Sequence, residues 1–288
     1  AVVHEMQPGP AVLHIEFTTR LPRILARMGK LGVHINAMQW FPKLAAHRNG
    51  AFIDWPFHNP SEFAADFGHY EVAITLPRDY VVEASGERVG DIANAADGTA
   101  TTTFRAEAVH HFARCANPHF VRRVERTRRG TELVLLNQPF LEPKAQLTLD
   151  AVRFAMGTLD EWLFPYPYQR LVIDAQPHGQ GGGMEYPGLF TISARSPEFV
   201  RCLRDRSENP AGVAIHEFVH QYFYGLVANN EFEEAWLDEG LTSYLTNRLL
   251  EEFFGTTAGA RGLPLTAAAR VYVASRGVDT VAAFDLDP

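Results

Sequence analysis

Two histidines and a glutamate are the residues of this sequence best placed to do chemistry. They occur as His216-Glu217-Phe218-Val219-His220, the pattern HExxH. The surrounding apolar spacing predicts a helix, and residues four apart lie on one helical face, so both imidazoles can reach one ion. Zinc binds such nitrogens and keeps one position for water in catalytic sites. Glu217 would lie beside that water and could take its proton.

A third ligand separates a zinc site from a chance HExxH. One zinc-protease class needs a glycine three residues after the second histidine and another histidine three further on. Those positions hold Phe223 and Leu226, which excludes that class. The alternative is a glutamate from the next helix, and Glu239 follows His220 after eighteen intervening residues. Eighteen residues are enough for the end of one helix, a turn at Asn229-Asn230 and the start of an antiparallel second helix.

The motifs HEFVHQYFYG (216–225) and EEAWLDEG (233–240) together resemble the aminopeptidase N family of gluzincins, which includes the leukotriene epoxide hydrolases. The second signature of that family is Gly-Ala-Met-Glu-Asn, upstream of the zinc motif. This chain has Gly182-Gly183-Met184-Glu185-Tyr186 at the matching place, with glycine for alanine and tyrosine for asparagine. The resemblance covers most of the second half of the chain, and the first half is only loosely similar to the family's N-terminal β-domain.

The resemblance implies roles for eight residues. It implies that one Zn2+ per chain is held by His216, His220 and Glu239, with Glu217 as the general base. It implies that the substrate lies along Gly182, Gly183, Met184 and Glu185. Glu185 would hold the free α-amino group of the substrate, because a carboxylate beside the metal can bind a cationic N-terminus through a charge-assisted hydrogen bond.

The family also uses a tyrosine downstream of the glutamate ligand to stabilise the tetrahedral intermediate. Tyr272 does not lie in the expected surroundings, so we do not transfer that role to it. The chain begins with Ala1 rather than methionine and ends at Pro288. We therefore expect it to be a piece of a longer enzyme.

The first half of the chain favours strands, and the second half alternates strands with helices. Strands are predicted over 11–19, 71–77, 80–85, 100–108, 131–136, 171–175 and 189–194, with a hairpin over 121–136 that turns near Arg129-Gly130. Helices are predicted from 147 to the prolines at 165 and 167, from 210 to about 225, and from 231 to about 254. The tail from 255 is expected to be partly helical at best.

These elements predict an α+β chain with two domains. We expect a partial β-rich N-terminal domain over 1–140 and a partial thermolysin-like zinc peptidase domain, mostly α, over 141–288. The second domain is expected to be incomplete at its C-terminus.

Charge and composition narrow the possible partners. The chain has 26 Lys and Arg against 34 Asp and Glu, a net charge of −8, which disfavours nucleic acids and anionic membranes as partners. No apolar run approaches the roughly eighteen residues that a membrane span needs. The two cysteines, Cys115 and Cys202, are too few for a disulfide scaffold and leave the compartment open.

His110, His111 and Cys115 also suggest metal ligands by residue type. If they lie on a strand, neighbouring side chains point to opposite faces and the two histidines cannot share an ion. We interpret them as ordinary strand residues.

The expected function is zinc-dependent hydrolysis of the N-terminal peptide bond of peptides with free N-termini, by metal-activated water. Three alternatives stay open at this point. The first is a thermolysin-type endopeptidase without an amine anchor, the second is an epoxide hydrolase using the same site, and the third is a catalytically weak metal-binding fragment.

Overall fold

The structure is a computed structural model that describes residues 12–24, 27–54, 64–94, 96–176, 182–193 and 210–254. The expected tail from 255, Tyr272 and most of the glycine-rich loop before Gly182 lie outside the described residues. Among the residues described, no helix is both long and apolar enough to cross a bilayer.

The first half of the described chain is built from strands, as predicted. They are β1 (Met28–Leu31), β2 (His34–Ala37), β3 (His47–Arg48), β4 (Ala51–Phe52), β5 (Gly68–Pro77), β6 (Val81–Ala84), β7 (Glu87–Asn94), β8 (Thr99–Val109), β9 (Arg114–Asn117), β10 (Val121–Arg126) and β11 (Glu132–Asn137). One antiparallel sheet has the order β1-β2-β9-β6, a second has the order β5-β8-β7, and β3 pairs with β4.

The second half adds three strands and three helices among the described residues. They are α1 (Glu142–Trp162), β12 (Arg170–Gln176), β13 (Gly183–Tyr186), β14 (Leu189–Ser193), α2 (Pro210–Val219) and α3 (Glu231–Phe254). A mixed sheet forms in the order β10-β11-β12-β14-β13. Strands β11, β12 and β14 run parallel, whereas β10 and β13 pair antiparallel at the two edges. The predicted hairpin over 121–136 is thereby confirmed.

The mixed sheet takes strands from both sides of residue 140, because β10 and β11 precede that residue. The α+β prediction is confirmed in its coarse form, a mixed chain with a β-rich first part. The division into 1–140 and 141–288 stays a prediction.

Helices α1 and α2 pack on one face of the mixed sheet and enclose the largest core. Apolar positions spaced three or four apart on α1, including Leu149, Val152 and Met156, are buried against Phe218 and Phe190. Because this core fixes α2 on the sheet, it also fixes the HExxH residues that α2 carries.

A buried ion-pair network joins the four-stranded sheet to the mixed sheet. Glu83 on β6 is fully buried, and its two oxygens contact Arg122 on β10, at 2.6 Å, and Arg170 on β12. The Arg170 guanidinium also donates to the carbonyls of Ala84 and Gly86, at 3.5 and 3.3 Å. The charge of Glu83 is therefore compensated entirely inside the protein.

Three predicted elements differ from the structure. The helix predicted from residue 147 begins at Glu142. Residues 12–19 form no strand; their apolar side chains are exposed, and no neighbouring strand among the described residues pairs with them. The helix expected to reach about residue 225 ends at Val219. After His220 the backbone tightens into turns, with the N–H of Gln221 bonded to Phe218 O at 2.9 Å. Tyr222 and Tyr224 are buried although they lie beyond the helix. The apolar spacing therefore continues past Val219, which is why the sequence predicts a longer helix.

Candidate metal centre

The two HExxH histidines and Glu239 converge, although α2 and α3 supply them separately. His216 Nε2 lies 3.1 Å from His220 Nε2. Glu239 Oε2 lies 3.4 Å from His216 Nε2 and 3.9 Å from His220 Nε2. Helix α3 is kinked at Glu234 (φ −133°, ψ 40°), and the segment after the kink carries Glu239. The three predicted ligands therefore form one cluster.

The spacing of these donor atoms fits a small tetrahedral cation. Ligand atoms about 2.0–2.1 Å from zinc at tetrahedral angles lie roughly 3.3 Å from one another. The observed separations of 3.1, 3.4 and 3.9 Å surround that value. Two nitrogens and one carboxylate oxygen are also a donor set that zinc accepts in catalytic sites. The residues present thus fit the ion expected from the sequence.

A buried layer of acceptors orients the ring of His220. Its Nδ1 lies 2.5 Å from Asp238 Oδ1, 3.2 Å from the carbonyl of Phe223 and 3.2 Å from Thr242 Oγ1. Because Nδ1 faces a carboxylate and a carbonyl, it carries the proton, which leaves the Nε2 lone pair directed at the cluster. His216 has a weaker counterpart, Thr246 Oγ1 at 3.4 Å from its Nδ1.

The sequence interpretation did not identify Asp238, Thr242 and Thr246 as part of the centre. A signal for them was present: they recur every four residues on α3, so they share one face, and all three are buried. Polar residues repeated at helical spacing beside a ligand indicate support for that ligand. Asp238 also belongs to a second donor combination, Glu185, His220 and Asp238, within the same centre.

Glu217 lies inside the centre, 4% exposed, with one carboxylate oxygen that has no hydrogen-bond partner among the described residues. Burial raises its pKa well above the usual value, and the neighbouring carboxylates of Glu185 and Glu239 raise it further against the opposing effect of His220. Burial also lowers the pKa of His216, which keeps that imidazole neutral and able to donate its lone pair.

Four carboxylates meet two imidazoles here, namely those of Glu185, Glu217, Asp238 and Glu239. For His220 burial lowers the pKa, but Asp238, Glu185 and Glu239 outweigh it and raise the pKa well above the usual value. Burial raises the pKa of Asp238 to about 7, although His220 opposes this. The acids that raise the pKa of His220 place a surplus of negative charge in a buried space, which favours a bound cation.

The edge strand β13 brings Glu185 to the centre. Glu185 is 7% exposed, and its carboxyl group lies close enough to Glu217 to raise the pKa of that residue. Gly183, on the same face of the strand, contacts Glu217 so closely that a Cβ would lie 2.5 Å from its carboxyl carbon. A larger residue at this position would therefore require Glu217 or the backbone to shift.

The substrate was also predicted to lie along Gly182 and Met184, whose positions differ from those of Gly183 and Glu185. Met184 alternates to the opposite face of β13 and packs in a core cluster with Tyr186 and Leu189. Gly182 has φ +70° and its carbonyl accepts a hydrogen bond from Ser193 N at 2.8 Å. The structure therefore brings Gly183 and Glu185 to the centre, and places the Met184 side chain in the core.

His110 and His111 do not lie on a strand, contrary to the interpretation from sequence. They follow β8, are buried, and contact the turn after α2. His110 Nε2 lies 2.8 Å from the carbonyl of Tyr224, and His111 stacks on the Tyr224 ring. Burial lowers the pKa of His110 to about 4. Strand β8 ends at Val109, and Ala108 within it has a positive φ of 51°, where the pairing with β5 is irregular.

A helix pair with this donor set, beside an edge strand that presents a buried carboxylate, resembles the arrangement of the gluzincins. The Peptidase family M1 domain matches residues 148–281 of the chain. This match covers most of the second half of the chain and confirms the resemblance drawn from the motifs.

Several curated proteins are similar to this region. Leucine aminopeptidase 2 of Ajellomyces capsulatus is 35% identical over 115 residues, 40% of this chain and 17% of that protein. A leukotriene A-4 hydrolase homolog of Botryotinia fuckeliana is 32% identical over 113 residues, 39% of this chain and 16% of that protein. Human aminopeptidase B is 33% identical over 101 residues, 35% of this chain and 14% of that protein. The matched region is thus about a sixth of each relative.

Proposed function

We propose that this chain carries the metal centre and substrate edge of a zinc-dependent aminopeptidase, which hydrolyses the first peptide bond of peptides with free N-termini. The M1 domain and relatives named as aminopeptidases support a peptidase. In this proposal residues 141–288 form the thermolysin-like catalytic part and 1–140 the β-rich part.

We assign one zinc ion per chain to His216, His220 and Glu239, because their donor atoms have tetrahedral spacing and Asp238 fixes the tautomer of His220. Zinc, when bound, supplies a Lewis acid that polarises the scissile carbonyl and lowers the pKa of water. Neutral histidines and an ionised glutamate are the protonation states that such binding requires.

Glu217 is the general base in this proposal. It follows the first histidine, is held by the core beneath α2, and has a carboxylate oxygen directed into the centre without a partner among the described residues. Its carboxylate takes a proton from water during attack on the carbonyl carbon. The same group then passes that proton to the nitrogen of the leaving amine as the C–N bond breaks.

The position of Glu185 is the observation that carries the aminopeptidase assignment. This acid is almost fully buried beside two other acids, Glu217 and Asp238, where its charge is costly unless a cation joins it. A peptide with a free N-terminus brings such a cation. Binding the α-amino group at Glu185 would place the first peptide bond, rather than an internal one, at the metal centre.

The decisive experiment compares a free tripeptide with its N-acetylated form, using the zinc-loaded chain and chromatographic analysis of the products. We expect residues to be released singly from the free peptide and the acetylated peptide to resist cleavage. Glu185→Gln should lower kcat/KM on the free peptide by about 10–100-fold, since a hydrogen bond to a charged group contributes about 1.5–3 kcal/mol. Glu71→Gln, at an exposed acid paired with Arg105, is the matched control and should change nothing.

Two further outcomes discriminate two of the alternatives. Internal cleavage of acetylated peptides at the rate of the free ones would identify a thermolysin-type endopeptidase. Zinc at one equivalent per chain with no turnover would favour the weak metal-binding fragment. Glu217→Gln separates binding from chemistry, because it should keep the zinc while turnover falls at least about a hundredfold.

A further inference from the structure

Gln221, the residue after His220, is fully buried and bonded through both ends of its amide. Its Nε2 donates to the carbonyl of Tyr186 at 3.0 Å, and its Oε1 accepts from the N–H of Gly188 at 2.8 Å. Tyr186 is the last residue of β13, and Gly188 lies in the turn that joins β13 to β14. A backbone carbonyl can only accept and an N–H can only donate, so the orientation of the amide is determined.

The turn itself has a defined shape. Pro187 and Gly188 occupy its centre, and Gly188 has φ +73°, which is the Pro-Gly arrangement of a type II turn. The carbonyl of Gly188 also accepts from Val172 N at 3.0 Å, which ties the turn to β12. A turn held by both β12 and Gln221 has little freedom to slide along α2.

Strand β13 therefore meets the residues around the HExxH motif at two points. At its start, Gly183 lies against the carboxyl group of Glu217. At its end, Tyr186 and the turn are bonded to Gln221. Glu185 lies between these two contacts, so its distance from the metal centre is set at both ends of a four-residue strand.

We propose that Gln221 is a positioning residue for substrate recognition: it sets the distance between Glu185 and the metal centre, and so determines which peptide bond is cleaved. The inference rests on the proposed aminopeptidase function. It follows from the geometry because Gln221 contacts the strand of the amine anchor while its neighbour His220 is a metal ligand. A displacement of the order of 1 Å in such an arrangement can cost about a hundredfold in rate.

Two substitutions test the two hydrogen bonds separately. Gln221→Glu keeps the size of the side chain and the acceptor for Gly188 but replaces the donor to Tyr186 by an oxygen. Gln221→Met keeps the length and removes both bonds. Asn36→Leu is the matched control, because it removes an equally buried amide from β2, where Asn36 contacts His34.

The measurements use the zinc-loaded full chain. Chromatographic analysis of the products gives kcat/KM for trialanine and N-acetyl-trialanine, elemental analysis gives the zinc content, and amide hydrogen exchange reports on Gly188. We expect the preference for the free peptide to fall at least tenfold in Gln221→Met and by a smaller factor in Gln221→Glu, with zinc unchanged. Gly188 should exchange faster in Gln221→Met only. The control should keep the parental preference even if its Tm falls.

The outcomes separate this inference from the function on which it rests. If the parent chain prefers free peptides and both Gln221 variants keep that preference, Gln221 does not position the anchor. If zinc is lost from the variants, Gln221 acts on the metal centre instead, and the inference is also overturned. A parent chain that binds zinc but shows no preference for free peptides overturns the proposed function and this inference together. Should Gln221→Met fail to fold, Gln221→Glu alone decides.

Discussion

Glu83 and Glu217 are both buried glutamates, but their surroundings are opposite. Glu83 is bonded to Arg122 and Arg170, so its charge is compensated by the protein itself. The charged neighbours that shift the pKa of Glu217 are mainly the acids Glu185 and Glu239 and the candidate ligand His220. A buried acid with internal partners joins structural elements, whereas a buried acid among other acids marks a place for a ligand from solution.

The largest expected effect is a loss of stability on substitution of Glu83, the buried acid that is paired with two arginines. Glu83→Gln should lower the free energy of unfolding by about 3–5 kcal/mol, because it leaves the buried Arg170 guanidinium without its main partner. Urea denaturation measures this loss. Glu71→Gln should cost at most about 1 kcal/mol, since its pair with Arg105 is exposed. Equal effects of the two substitutions would show that the buried network contributes no more than a surface pair.

A smaller effect is expected at the metal centre. Asp238→Asn keeps an acceptor for His220 Nδ1 but removes the charge that raises ligand basicity, so zinc affinity should fall about 10–100-fold. Competition with a chromophoric chelator measures it. Thr246→Val should change the affinity less, because its hydroxyl lies 3.4 Å from His216 Nδ1. An affinity loss at Thr246 that matched the loss at Asp238 would contradict this ranking.

The smallest effect has the opposite sign from that at Glu83. In the metal-free chain, Glu217→Gln should raise the free energy of unfolding at pH 7 by about 1 kcal/mol, because on folding the parent must either take up a proton at Glu217 or bury its charge. The folded-state pKa of Glu217 is raised, so the parent loses stability as pH rises above the unfolded value near 4.5.

The gain in the free energy of unfolding from Glu217→Gln should therefore vanish near pH 4, where the carboxyl group of Glu217 is largely protonated in the folded and the unfolded state. Denaturation in excess chelator at the two pH values tests this. A variant less stable than the parent at pH 7 would mean that Glu217 has a stabilising partner in the folded chain.

The candidate ligands were predictable from sequence because they lie close together in it. His216, His220 and Glu239 depend only on one helix, a turn and the start of the next helix, and helical spacing encodes their shared face. Glu83 and Arg170 are 87 positions apart, and Gln221 and Gly188 are 33 apart. No local pattern reports such pairs, since the sheet that brings them together is assembled from distant strands.

The missed strands have a related physical cause. Strand β2 is entirely buried and contains His34 and Asn36, and β9 ends in the buried Asn117. Buried polar residues conceal the alternation by which a half-buried strand is detected. Conversely, residues 12–19 have strand-like composition without a partner strand among the described residues, which shows that composition alone does not supply the hydrogen bonds of a ladder.

The shared mixed sheet bears on how the molecule can be divided for expression. Strand β12 is buried at all seven positions and lies between β11 and β14. A recombinant piece that began at residue 141 would lack β10 and β11, and would turn this buried central strand into a bare edge. Exposed edges of that kind recruit other chains, so such a piece should aggregate. One that begins before Val121 keeps the hairpin and leaves β12 paired on both sides.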